Sequence, residues 1–189
     1  WKETGESGGG LTYNLGAHVI DQAVQLFGMP EAVFADIATL RTGGKVDDYF
    51  IIHLMKPARM PEVKITLKAS YLMCENEPRF VLHGTEGSYV KYGLDPQEAD
   101  LTKGMLPDTP HWGEEDESQW GILHTETDGN VVRKPYPTLP GNYAAFYENI
   151  YQHIRNGAVL QSDACGVLGV IRLIEAAWES SRTGNVIKL

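Results

Sequence analysis

The chain has 189 residues, of which 42% are hydrophobic and 22% charged, the balance of an ordinary water-soluble globular domain with a full core. A net charge of −9, from 25 acidic and 16 basic residues, argues against nucleic-acid binding, which needs a basic surface. No stretch approaches the ~20 apolar residues of a membrane span, no secretory leader is expected, and two cysteines, Cys74 and Cys165, are too few for a disulfide framework. Both cysteines have apolar neighbours, so the expectation is two buried thiols and a cytoplasmic protein. The first residue is Trp1 rather than Met. The chain therefore reads as a single domain, residues 1–189, from a larger protein.

Gly8-Gly9-Gly10 leads into an expected helix over residues 11–27, with Leu11, Leu15, Val19, Ile20, Val24 and Phe27 on a broad apolar face. Gly28-Met29-Pro30 ends it by glycine cap and proline stop. Strands are expected over 33–41, 49–56 and 62–72. In the second, both faces are largely apolar, whereas the third alternates cleanly. Residues 80–83 and 88–92 flank Gly84-Thr85-Glu86-Gly87 as a hairpin. Residues 93–119, rich in Pro, Gly and acid, form a loop long enough to be functional or partly mobile. Strands at 122–127 and 131–134 follow around Asp128-Gly129.

Two helices then close the chain. One carries Tyr143, Phe146, Tyr147, Ile150 and Ile154 and ends at Asn156-Gly157; the other is capped by Ser162 and stops near Gly184, before a last strand over 185–189. The order helix, strands, helices is α+β, and predicts an open, mostly antiparallel sheet with helices packed on one face. The other face keeps Tyr49, Ile51 and Met55, apolar surface that a second copy of the sheet would cover, so a homo-oligomer is expected.

On the first helix Asn14, His18, Asp21, Gln22 and Gln25 form a polar stripe, because residues three and four apart share a face. Two readings fit it. In one, the stripe is the solvent face of an amphipathic helix. In the other it walls a pocket: His18 is a general acid/base, since imidazole titrates near neutral pH, and Asn14, one turn earlier, orients it or holds a substrate hydroxyl. His18 and Asp21 alone do not complete a metal shell. No Gly-x-Ser-x-Gly and no phosphate loop occur, and no strand precedes the glycine run to make it a dinucleotide fingerprint. His53 and His83 fall in strands and read as structural. His111, beside Trp112 in the long loop, is placed to close over a pocket, and His124 and His153 carry no signal.

Gly8-Gly9-Gly10, then Asn14, His18 and Asp21, resemble the Gly-Gly-Gly…Asp…His…Asp signature that opens the C-terminal domain of the glucose–fructose oxidoreductase/inositol dehydrogenase (Gfo/Idh/MocA) family. His83-Gly84-Thr85-Glu86-Gly87-Ser88 looks like that family's central hairpin, and Gly141-Asn142-Tyr143…Phe146-Tyr147 with Ser180-Ser181…Gly184 is similar to its ending. The resemblance implies an open sheet, often paired face to face between subunits. It also implies a parent enzyme whose N-terminal Rossmann domain binds NAD or NADP while this domain supplies the pocket for a sugar, inositol or related polyol. His18 and Asn14 are then the catalytic pair, and Trp1, Lys2 and Tyr13 the substrate-binding candidates. No cofactor is expected on this chain alone, which should not turn over by itself. The signature departs at Asn14, where the family usually has Asp, whose charge would favour a protonated imidazole. A non-catalytic ligand-binding or assembly domain of the same fold is the alternative.

Overall fold

A computed structural model of the chain describes residues 3–5 and 8–189. In chain order it contains a π-helical turn Thr12–Gly16, α1 (Ala17–Phe27), β1 (Pro30–Ala38), β2 (Tyr49–Pro57), β3 (Ile65–Ser70), β4 (Phe80–His83), β5 (Gly87–Lys91), α2 (Gln97–Thr102), β6 (Gly121–Thr127), β7 (Asn130–Tyr136), α3 (Ala144–Asn156), α4 (Ala164–Thr183) and β8 (Ile187–Lys188). The contacts gather into two units, one running to Cys74 and resuming at Ser162, the other being Glu75–Gln161. The α+β class with open antiparallel strands stands, but the strands divide into two four-stranded sheets, β3-β2-β1-β8 and β4-β5-β6-β7, rather than forming one. Between β3 and β4 the sequence Cys74-Glu75-Asn76-Glu77-Pro78 has no alternation and ends in a proline that cannot donate to a ladder, so pairing stops there.

In the first unit the antiparallel register sets Val33 opposite Leu54, Ala35 opposite Ile52 and Ile37 opposite Phe50. Those β2 residues stand opposite Ile65, Leu67 and Ala69 of β3. These rows share one face because side chains alternate along a strand; apart from the partly buried Leu67 and Ala69, which pack against it, they form one buried cluster with Leu11, Ile20, Ala23 and Val170, Leu173, Ile174, Ala176 and Ala177 of α4. The helices therefore cover one face of this sheet, as the sequence predicts. Phe34 and His53 stack on the opposite face, centroids 6.2 Å apart, and His53 Nδ1 lies 3.1 Å from Thr66 Oγ1.

β8 is only two residues long and pairs β1 at Ala32 and Val33. Further along β1 the hydroxyls of α4 replace it. Ser180 Oγ accepts from Ala35 N–H at 3.0 Å and donates to the Asn185 carbonyl at 2.6 Å, while Ser181 Oγ accepts from Ile37 N–H at 2.9 Å. This is why the Ser180-Ser181…Gly184 segment is needed at the helix end: it satisfies backbone donors that a longer strand would have taken. The helix itself is capped by Asp163, whose Oδ1 accepts from Gly166 N–H at 2.8 Å, and not by Ser162.

In the second unit the expected loop 93–119 is ordered around two buried polar side chains. Lys91 Nζ donates to both oxygens of Glu115 at 2.9 and 2.8 Å and to the Gln119 carbonyl at 2.9 Å. Fully buried Gln97 accepts from Trp112 Nε1 and from Tyr143 N–H, each at 2.8 Å, and donates to Asp95. Trp112 thus turns inward. His111 is exposed, with Nδ1 2.9 Å from Glu114. Both cysteines are exposed rather than buried. Cys74 lies in the turn after β3 and Cys165 in the first turn of α4, and element ends stay open to water even where the neighbouring sequence is apolar. Among the described residues no helix is long and apolar enough to cross a membrane.

Candidate active site

The glycine run and the stripe meet at the start of the first helix. Gly10 has φ +90°, and a Cβ there would lie 1.8 Å from Asp47 Oδ1. The space glycine leaves is filled by Asp47, which arrives just before β2. Its carbonyl accepts from Leu11 N–H at 3.0 Å, and its Oδ2 accepts from Thr12 N–H at 2.6 Å and Thr12 Oγ1 at 2.7 Å. A carboxylate contributed from 35 residues away thus satisfies the first donors of the helix, and its charge suits that end of the helix dipole. The same geometry decides whether the run fits a nucleotide phosphate. It does not, because the close approach at Gly10 is already taken by a negative group.

The helix then opens with the π-turn Thr12–Gly16, which holds Tyr13 and Asn14, before the regular α1. Such turns widen the helix locally and recur at functional sites. Asn14 is half-buried; His18, Asp21 and Gln25 are exposed. Asn14 Nδ2 donates to the Tyr71 hydroxyl at 3.4 Å, and Gln25 Nε2 reaches Asp21 Oδ1 at 3.5 Å. His18 has no hydrogen-bond partner among the described residues, so its imidazole is open to solvent and is not held by Asn14 through a direct bond.

Tyr13 is oriented quite differently. Its hydroxyl donates to Glu175 of α4, and its ring lines a cavity of about 270 Å³ with Gly5, Gly8, Gly9, Lys45 and Trp178. Burial first, then the hydrogen bond to Glu175 and the charges of Glu175 and Asp47, push its phenol up to about 12. Tyr13 therefore stays neutral, with its proton committed. Trp1 and Lys2 lie outside the described residues. Among the described residues no group of three or more His, Cys, Asp and Glu side chains is placed to hold a metal.

Sequence reasoning missed the residues that reach Asn14 from the sheet. Tyr71 follows β3, and its N–H donates to the Asp48 carbonyl at 3.0 Å. The Arg41 guanidinium lies over the Tyr71 ring, 5.6 Å from its centroid, with Nε 2.8 Å from Asp48 Oδ2 and a terminal nitrogen 2.9 Å from Glu3. Asp48 is fully buried and also accepts from Leu40 and Arg41 N–H. Burial alone would raise its carboxyl, but these two amides and the Arg41 guanidinium outweigh it and hold the group below the usual carboxylate range. The pair Asp47-Asp48 ahead of the apolar strand β2 was the available signal: two adjacent acids at a strand entrance, both buried.

The first helix of this open-sheet α+β unit thus carries an exposed histidine one turn beyond an amide that bonds a phenol from 57 residues away. The chain belongs to the Gfo/Idh/MocA oxidoreductases: it matches the oxidoreductase family, C-terminal alpha/beta domain, over residues 1–189. It is 35% identical to the scyllo-inositol 2-dehydrogenase (NADP(+)) of Bacillus subtilis, across 100% of this chain and 52% of that protein. A crystal structure from Bacteroides fragilis superposes with a TM-score of 0.90 at 62% identity, covering 95% of this chain and 53% of that one. An oxidoreductase from Bacillus cereus gives 0.82 at 34% identity, covering 100% and 61%. The chain spans about half the length of the curated relatives it matches.

Proposed function

We propose that this chain is the substrate-binding domain of an NAD(P)-dependent oxidoreductase acting on a secondary alcohol of a sugar, inositol or related polyol. The observation that carries this is His18, exposed and uncommitted on a regular helix one turn beyond Asn14, whose amide is already engaged with a phenol of the sheet. The relative named for scyllo-inositol oxidation supports the substrate class. When bound, nicotinamide supplies the hydride acceptor or donor; the nucleotide is held by residues outside this chain. What this chain contributes is the proton. In oxidation His18 takes the hydroxyl proton as the carbinol carbon loses its hydride and the C–O bond becomes a carbonyl; in reduction it returns the proton. Its place on a packed helix fixes the imidazole relative to the substrate.

Arg41 argues for a neutral substrate. Its charge is already balanced by Asp48 and Glu3, so Arg41 itself is not poised to recruit an acid. A second reading, a ligand-binding or assembly domain without chemistry, is favoured by Asn14 itself, since an amide carries no charge to hold imidazolium next to it. The test is nicotinamide-linked turnover of a panel of inositols and sugars by the full-length protein and by the isolated 189-residue chain. Turnover by the former and none by the latter is expected. Turnover by the isolated chain, or none by the full-length protein with any polyol, overturns the proposal.

A further inference from the structure

We infer that Tyr71 is a further substrate-binding residue of this site, offering its phenolic hydrogen to a second hydroxyl of the substrate. The inference rests on the proposal for His18. A tyrosine hydroxyl can donate one hydrogen and accept others. Here the oxygen accepts from Asn14 Nδ2 at 3.4 Å, and the hydrogen has no acceptor among the described residues. The residue is 44% exposed, which leaves the phenol within reach of a ligand from solvent. Tyr13 is the internal contrast: the same residue type, but with its hydrogen spent on Glu175.

The ring is also held. Its backbone N–H is bonded to Asp48, and the Arg41 guanidinium, itself fixed on Asp48, sits over its face. Such a cation–ring contact orients an aromatic side chain without consuming its hydroxyl. Asn14 decides the direction of the remaining bond. A carboxylate at that position only accepts, and would draw the Tyr71 hydrogen onto itself; the amide NH₂ donates instead and leaves the hydrogen available. On this view the asparagine does not weaken the site. It transfers hydroxyl recognition to Tyr71, and the ligand it favours is a polyol with a second hydroxyl.

The experiment compares Tyr71→Phe, Asn14→Asp and the double variant in the full-length protein. The probe is scyllo-inositol, or whichever panel polyol turns over fastest. Phenylalanine keeps the ring and its contact with Arg41, so the melting temperature should not move. Loss of one neutral hydrogen bond made equally in ground and transition states should raise KM roughly 3–10-fold with kcat nearly unchanged. In the Asn14→Asp background the same change should add little, because the hydrogen is already diverted. An unchanged KM in Tyr71→Phe, or full additivity of the two substitutions, overturns the inference while leaving His18 in place. If His18→Ala leaves turnover intact, the reading beneath it falls, and this inference with it.

Discussion

Asp47 and Asp48 are adjacent, both buried, and do different work. Asp47 holds the start of the first helix; Asp48 holds Leu40, Arg41 and, through them, the ring of Tyr71. Because the folded Asp48 carboxyl lies below its ordinary value, its contribution is present above the unfolded pKa near 4 and is lost as pH falls through the lower folded value. Asp48→Asn should therefore lower the melting temperature at neutral pH and flatten its fall below about pH 4, as read from thermal unfolding across an acid series. A fall as steep as in the unaltered chain would contradict this assignment. At this scale the sequence was legible only where partners are near in the chain. His18 and Asn14 are one turn apart on one helix, and spacing exposes them. Tyr71, which reaches Asn14 across 57 residues, carries no local signal, since to the strand pattern it is one more residue at the end of β3.

At the scale of elements, the glycine run matters for what it admits. The run itself is plain in the sequence, but not the segment it admits. Gly10→Ala forces a Cβ into the Asp47 carboxylate at a backbone angle that alanine disfavours. It should cost about 2–4 kcal/mol in urea unfolding, combining overpacking with backbone strain. A loss under about 0.5 kcal/mol, the scale of an ordinary surface change, would mean that Asp47 yields without consequence. The helix was legible from its apolar period, whereas its π-turn was not, because a one-residue widening barely disturbs that period over eleven regular residues that follow. The loop 93–119 shows the opposite limit. Its composition reads as open chain, yet Lys91 and Gln97 organise it through long-range hydrogen bonds that no local pattern encodes.

At the scale of the whole molecule, the class of fold followed from element order, and the division into two sheets turned on one short stretch around Pro78. The first sheet keeps a face with Phe34, Ile51, His53 and Met55 that its own helices do not cover. We propose that a second copy of the protein covers it. Ile51→Lys with Met55→Lys should then dissociate the full-length protein in sedimentation without unfolding it, and a monomer before substitution would count against the idea. His18 is the group on which the proposed chemistry depends. The decisive measurement is steady-state turnover of the full-length protein with His18→Ala. The side chain is exposed and has no partner among the described residues, so its removal should leave the melting temperature unchanged. A loss of kcat of ~10²–10⁴-fold is expected, the scale of a lost general base. Turnover undiminished by the substitution would contradict it and leave the helix face as a binding surface without chemistry.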